Sequence, residues 1–196
     1  KYCSELGYKI KLLGNSEVSF NKSSKEEFFC SVEPWLIPKN YGLSNVSGVL
    51  NAVQVQSSLA GSVMITGAGA GGEPTASAVL ADIVDFANRT KLLSFGRNSS
   101  KIKNNYKTNA YTEKFRFYLR LNVIDKSGVL ASLTSIFRDN ELSIESFIQK
   151  SNHEDKTAEL VIITHEASKS MLDKALLSIN KLDGVISDPV CLSIYS

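Results

Sequence analysis

Apolar and polar positions along the chain form two blocks of recognisable period, separated by a polar stretch. In the first block, Tyr2 to Leu6 reads as a short helix closed by Gly7, and Lys9-Ile10-Lys11-Leu12-Leu13 alternates as a strand. Asn15 to Glu27 is polar and lacks an apolar period, which predicts a loop or hairpin tip before the β-favouring run Phe28-Phe29-Cys30-Ser31-Val32. Pro34 and Pro38 bracket Trp35-Leu36-Ile37; each removes a backbone donor and restrains the residue before it, so this piece is expected to be extended, not helical. Further on, Val49, Asn51, Val53 and Val55 share one side of a strand with one buried face, and Gly61 to Thr66 supplies a partner, so a hairpin is the economical pairing. From Thr75 the period changes: Ala76, Val79, Leu80, Ile83, Phe86 and Ala87 recur at helical spacing, with Pro74 in the first turn, where its missing donor costs nothing.

The second block begins after residues 97–112, a stretch with Arg97, Lys101, Lys103 and Lys107, no acidic residue and little to bury, which predicts a linker. Phe117, Leu119, Leu121 and Val123 then alternate as a half-buried strand, and Val129, Leu130, Leu133, Ile136 and Phe137 mark a helix. Ser143 to Lys150 and Thr157 to Thr164 form a hairpin across a polar tip. A second helix carries Met171, Leu172, Ala175, Leu176, Ile179 and Leu182, and Val190 to Ile194 closes as a strand. The order βαββαβ, with right-handed crossovers, gives four antiparallel strands with two helices on one face, the ferredoxin-like arrangement. A unit of this size has a thin core, so association through its other face or its edges is expected.

Composition narrows the picture by exclusion. A net charge of +2 on 196 residues offers no bulk attraction to nucleic acid or anionic membrane, and four scattered basic residues with one aromatic between Arg97 and Asn109 make no stacking platform. No apolar run approaches a membrane span and the start lacks a signal-peptide core, so a cytoplasmic protein with neither membrane nor nucleic-acid partner is expected. Cys3, Cys30 and Cys191 match no metal framework and read as reduced thiols; His153 and His165 lack a second ligand at metal spacing, so no metal is expected. Lys1 stands where a chain would begin with Met, which raises the expectation of a fragment.

The chemistry-bearing stretch is Gly67-Ala68-Gly69-Ala70-Gly71-Gly72-Glu73-Pro74-Thr75, between a strand and a helix. Gly67, Gly69 and Gly72 satisfy G-x-G-x-x-G, yet no second parallel strand with an acidic residue follows, as a self-contained dinucleotide fold requires. Two uses of these glycines stay open: close approach to a ligand, and close packing of helix on strand.

Read at full length, Gly67 to Ile83 resembles the signature near the end of the catalytic region of homoserine dehydrogenases, echoed in Gly7 to Gly14, Val32 to Pro38 and Val49 to Val53. Trp35 and Tyr41-Gly42 depart from that pattern, at places where a small polar residue and a His-Pro pair are common. The second block, with Asp125-Lys126-Ser127-Gly128-Val129-Leu130 at its first strand-to-helix turn, resembles the ACT family of regulatory domains. The resemblance implies an α+β chain: residues 1–96 as a mixed sheet with a helix, the C-terminal part of the substrate and dimerisation domain; 97–112 as linker; and 113–196 as a ferredoxin-like βαββαβ ACT domain. It implies NAD(P)-dependent interconversion of L-aspartate 4-semialdehyde and L-homoserine for threonine and methionine synthesis, with NADP or NAD bound only by the complete enzyme. The nucleotide-binding domain and catalytic residues would lie outside this chain, which alone would be inactive. Gly71, with Gly69, Ala70 and Gly72, would face the cofactor; Asp125, Gly128 and Val129 would meet a small amino-acid effector, threonine being one candidate. Homo-oligomers would form through the sheet and the ACT domain. The competing expectation is a stand-alone amino-acid-sensing or oligomerisation module.

Overall fold

The computed structural model describes residues 2–20, 26–88, 98–102, 113–152 and 154–195. The chain divides into two compact units, one of residues 1–38 with 107–196 and one of residues 39–106.

The first unit is built on one sheet. Its elements are α1 (Tyr2–Glu5), β1 (Tyr8–Phe20), β2 (Glu26–Pro38), β5 (Lys114–Ile124), α3 (Val129–Asp139), β6 (Ile144–Asn152), β7 (Thr157–Thr164), the two-residue β8 (Ala167–Ser168), α4 (Lys169–Ile179) and β9 (Val190–Ile194). The strand order is β1-β2-β9-β5-β7-β6, with β8 on β5. Within it, β9-β5-β7-β6 is the antiparallel ferredoxin-like core, in the order βαββαβ that the sequence pattern predicts.

The alternation of β5 sorts its side chains onto two faces. Phe117, Leu119, Leu121 and Val123 turn towards α3 and α4, where they pack with Leu133, Phe137, Leu172, Ala175 and Ile179 in the main core. Tyr118 turns the other way and joins Val161, Ile163 and Ile194 in a smaller cluster with Tyr2 and Leu36. Two sequence expectations change here. Asn15 to Phe20 continues β1 and is not a loop, because β2 pairs with it in unbroken register from Tyr8↔Pro38 to Phe20↔Glu26. The face of the core left open by α3 and α4 is not bare: α1 covers part of it, and β2 occupies the β9 edge in parallel pairing, Trp35↔Ser193 and Leu36↔Ile194.

The second unit holds β3 (Leu50–Ser57), β4 (Gly61–Ala68) and α2 (Gly72–Ala87). The expected hairpin forms, with Asn51↔Gly67, Val53↔Ile65 and Val55↔Val63 sharing one face. That face is not buried, contrary to the sequence reading: Val53 and Ile65 are 66% and 70% exposed. No residue of α2 is buried either. A two-stranded hairpin has no second layer of its own, and the apolar period records burial that these residues do not supply to one another.

Leu36 ties the hairpin to the core. Leu36→Ala is expected to cost about 2–5 kcal/mol in urea unfolding, whereas Leu177→Ala, on the exposed side of α4, should stay within about 0.5 kcal/mol. Equal losses would show that the strand is not anchored there. The Tyr2 phenol is held above its ordinary value, first by donating a hydrogen bond to Glu159, then by burial and the Glu159 charge. A raised pKa in the folded state means this contribution is complete below about pH 10 and is lost as pH rises through the folded value. Alkaline titration of tyrosine absorbance, compared with Tyr2→Phe, should show the missing phenol ionising later than an exposed one; an ordinary midpoint would contradict the contact.

Candidate functional site

The glycine turn joins β4 to α2 in the second unit. Gly71 adopts φ +131°, a conformation that side chains rarely accept, and it stands at the N-cap of α2 with no side-chain cap. Its carbonyl accepts from Thr75 N at 3.2 Å and from Thr75 Oγ1 at 2.8 Å, so the first turn closes on the backbone of Gly71. Pro74 lies within that turn and withholds no hydrogen bond the helix needs. The unclaimed amides of the first turn and the positive end of a 16-residue helix thus sit beside a strip without side chains.

Gly69 is fixed differently. Its N–H donates to the Val49 carbonyl at 2.9 Å, and a Cβ there would land on the side-chain amide of Asn51. Gly72 and Gly67 have open space in the same position. Gly69 therefore carries the packing role and Gly71 the backbone role, while Ala70, between them, and Gly72, just after, are exposed. Asn51 is the residue the sequence reading placed on the strand without seeing its link to Gly69. A polar residue within a valine alternation is the signal that marks it.

The second candidate site belongs to the first unit. Gly128 has φ +96° and forms the N-cap of α3, also without a side-chain cap. Asp125 N donates to Lys156 O at 2.8 Å, and Ile124 N donates to Gly184 O at 2.8 Å. The turn is therefore stitched to the β6–β7 tip on one side and to the chain after α4 on the other. Asp125, Gly128 and Val129 stand together at this strand-to-helix junction, where free amides of α3 can receive a carboxylate.

Residues 1–84 match the family model described as homoserine dehydrogenase, and residues 117–184 match that of the ACT domain. The chain matches the C-terminal part of homoserine dehydrogenases, with an ACT-domain match following it. It is 36% identical to the homoserine dehydrogenase of Neisseria gonorrhoeae, over 94% of this chain and 43% of that protein. For that of Pseudomonas aeruginosa the identity is 35%, over 96% of this chain and 44% of that one. A solved homoserine dehydrogenase from Thiobacillus denitrificans superposes with a TM-score of 0.83 at 32% identity, covering all of this chain and 44% of the other. That of Staphylococcus aureus gives 0.58 at 27% identity. The chain thus spans less than half the length of these homoserine dehydrogenases.

Among the described residues no cluster of His, Cys, Asp and Glu is placed to hold a metal, and no helix is long and apolar enough to cross a membrane. His153 lies outside the described residues. Gly69→Ala should cost about 1–3 kcal/mol by forcing the Asn51 amide aside, while Gly67→Ala should be neutral or stabilising. Hydrogen exchange of the β3 and β4 amides reads the difference, and equal protection in the two variants would refute the packing role.

Proposed function

We propose that this chain is the substrate-side and regulatory portion of an NAD(P)-dependent homoserine dehydrogenase, acting only together with a nucleotide-binding domain. The observation that carries this reading is the bare apolar surface of the second unit. Val53, Val55 and Ile65 on the hairpin, and Val79, Ile83 and Phe86 on α2, are all more than half exposed. Isolated soluble domains rarely leave so many large apolar side chains bare, and the matched relatives contain more than half their length beyond what this chain covers. A second polypeptide body would cover that surface and bring the dinucleotide to it.

A nicotinamide cofactor, NADP or NAD, carries the hydride that interconverts L-aspartate 4-semialdehyde and L-homoserine on the way to threonine and methionine. The residues of this chain would shape the wall against which it closes. The geometry suits such a wall, since Gly71, with Ala70 and Gly72, offers a strip of backbone free of bulky side chains, and Gly69 holds the strip against Asn51. The βαββαβ unit would bind a small amino acid, threonine being the first candidate, through the α3 amides beside Asp125, Gly128 and Val129. Its effect on the reaction would be allosteric. Homo-oligomers would form through the ACT domain and through the hairpin β1–β2, where Leu12 and Val32 are 72% and 78% exposed. The cytoplasm is the compartment such biosynthesis requires.

In a spectrophotometric assay with homoserine and NADP the chain by itself should show no turnover, and appreciable NADPH formation would overturn the reading. Calorimetric titration with threonine is expected to show saturable binding that Asp125→Ala weakens. Coupling to an active site would be worth about 1–3 kcal/mol, an affinity change of roughly 5 to 150-fold.

A further inference from the structure

The face of the ferredoxin-like core opposite α3 and α4 grips α1. Tyr2 is buried there against Tyr118, Val161 and Ile163, and its hydroxyl donates to Glu159. Lys150 Nζ lies 4.6 Å from the centre of the Tyr2 ring and 3.1 Å from Glu5 Oε2. Cys3, half-buried, packs against the same cluster. The charged groups around Tyr2 are thus Glu159 from β7, Lys150 from β6, Arg120 from β5 and Glu5 from α1 itself. Lys150 and Glu5 are nearly half exposed, so their pair contributes little; the buried tyrosine and its acceptor hold the turn in place.

The gripped residues and the gripping ones belong to different families: α1 falls in the stretch matched to homoserine dehydrogenase, and Tyr118, Lys150 and Glu159 fall in the ACT match. The register places the grip close to the effector turn. Glu159 pairs with Asn122 on β5 and with Lys150 on β6. Asn122 precedes Asp125 by three residues, about 10 Å of strand, and Asp125 is hydrogen-bonded to Lys156, three residues before Glu159. Two paired strands therefore run from the turn at Asp125 to Val129 to the residue that holds Tyr2.

We propose that α1 is a latch: the ACT domain, on binding an amino acid at its first strand-to-helix turn, alters its hold on Tyr2 to Glu5 and through them on the strand β1 of the homoserine dehydrogenase part. This rests on the effector reading given above. By linkage the relation is reciprocal, so displacing α1 also changes affinity at the turn.

Cys3 is a built-in reporter. In the full chain carrying Cys30→Ser, the other thiol, Cys191, is pushed up to about 12 by burial and reacts slowly, leaving Cys3 to be followed by alkylation. Glu159→Ala is expected to label Cys3 about tenfold faster, and Glu159→Gln, which keeps an acceptor for Tyr2, to restore the slow rate. Tyr2→Phe, which deletes only the hydroxyl, should accelerate labelling in the same direction and serves if Glu159→Ala does not fold. An unchanged Cys3 rate in the variants that fold overturns the latch. In the second arm, Gly128→Ala and Asp125→Ala should each shift the Cys3 rate by about threefold or more while unfolding remains cooperative; unchanged rates in both overturn the coupling. Threonine titrated by calorimetry is scored separately. Absence of heat there counts against the effector reading, while the labelling rates still decide the latch.

Discussion

The first unit depends on the burial of Trp35, Leu36 and Ile37, three successive side chains at the end of a strand that pairs in parallel with the last strand of the chain. Only Trp35↔Ser193 and Leu36↔Ile194 form the ladder, extended by Tyr195 N donating to Leu36 O at 2.9 Å. Burial on both faces makes this short contact effective. Trp35 stacks edge-on against Phe115 with ring centres 5.0 Å apart, while Leu36 enters the cluster with Tyr2 and Tyr118 on the opposite side. An edge strand of a four-stranded core is a liability for pairing with other chains, and β2 covers that edge from within the same chain. The residues matched to two different families are in this way one continuous sheet.

The parts legible in the sequence are those whose determinants are local. The alternation of Phe117, Leu119, Leu121 and Val123 needs no knowledge of what lies above the strand, and all four are buried as it requires. The helix stripes of α3 and α4 and the β3–β4 hairpin were readable for the same reason. The extension of β1 through Asn15 to Phe20 was not, because a polar stretch gives no apolar period, and only pairing with β2 makes it a strand. Docking of α1 was invisible too. Tyr2 and Glu159 are 157 positions apart, and a single tyrosine carries no mark of so distant an acceptor.

The second unit shows a different limit. Its hydrophobic period is correct and its secondary structure follows, yet the burial inferred from that period is absent. A pattern of side chains reports the environment in which it is useful, and that environment can include atoms outside the chain. The same holds for the glycines. The turn was readable, but which glycine serves backbone conformation and which serves packing became clear only from the φ angle of Gly71 and the Asn51 amide against Gly69.

These two units differ in what they ask of a partner. The first satisfies most of its own apolar surface through two clusters, one on each face of its sheet, so its shape does not wait on assembly. The second presents an apolar face on both hairpin and helix, and its glycine turn is flanked by surface that gains from being covered. The proposed ligand wall on such a unit would become competent only when that cover arrives, which would tie its chemistry to assembly. Control is then most economically placed on the self-contained unit. A domain that keeps its form while a small ligand comes and goes can shift its grip on a single docked turn without losing its own core, because Tyr2 adds to the smaller cluster and takes no part in the larger one.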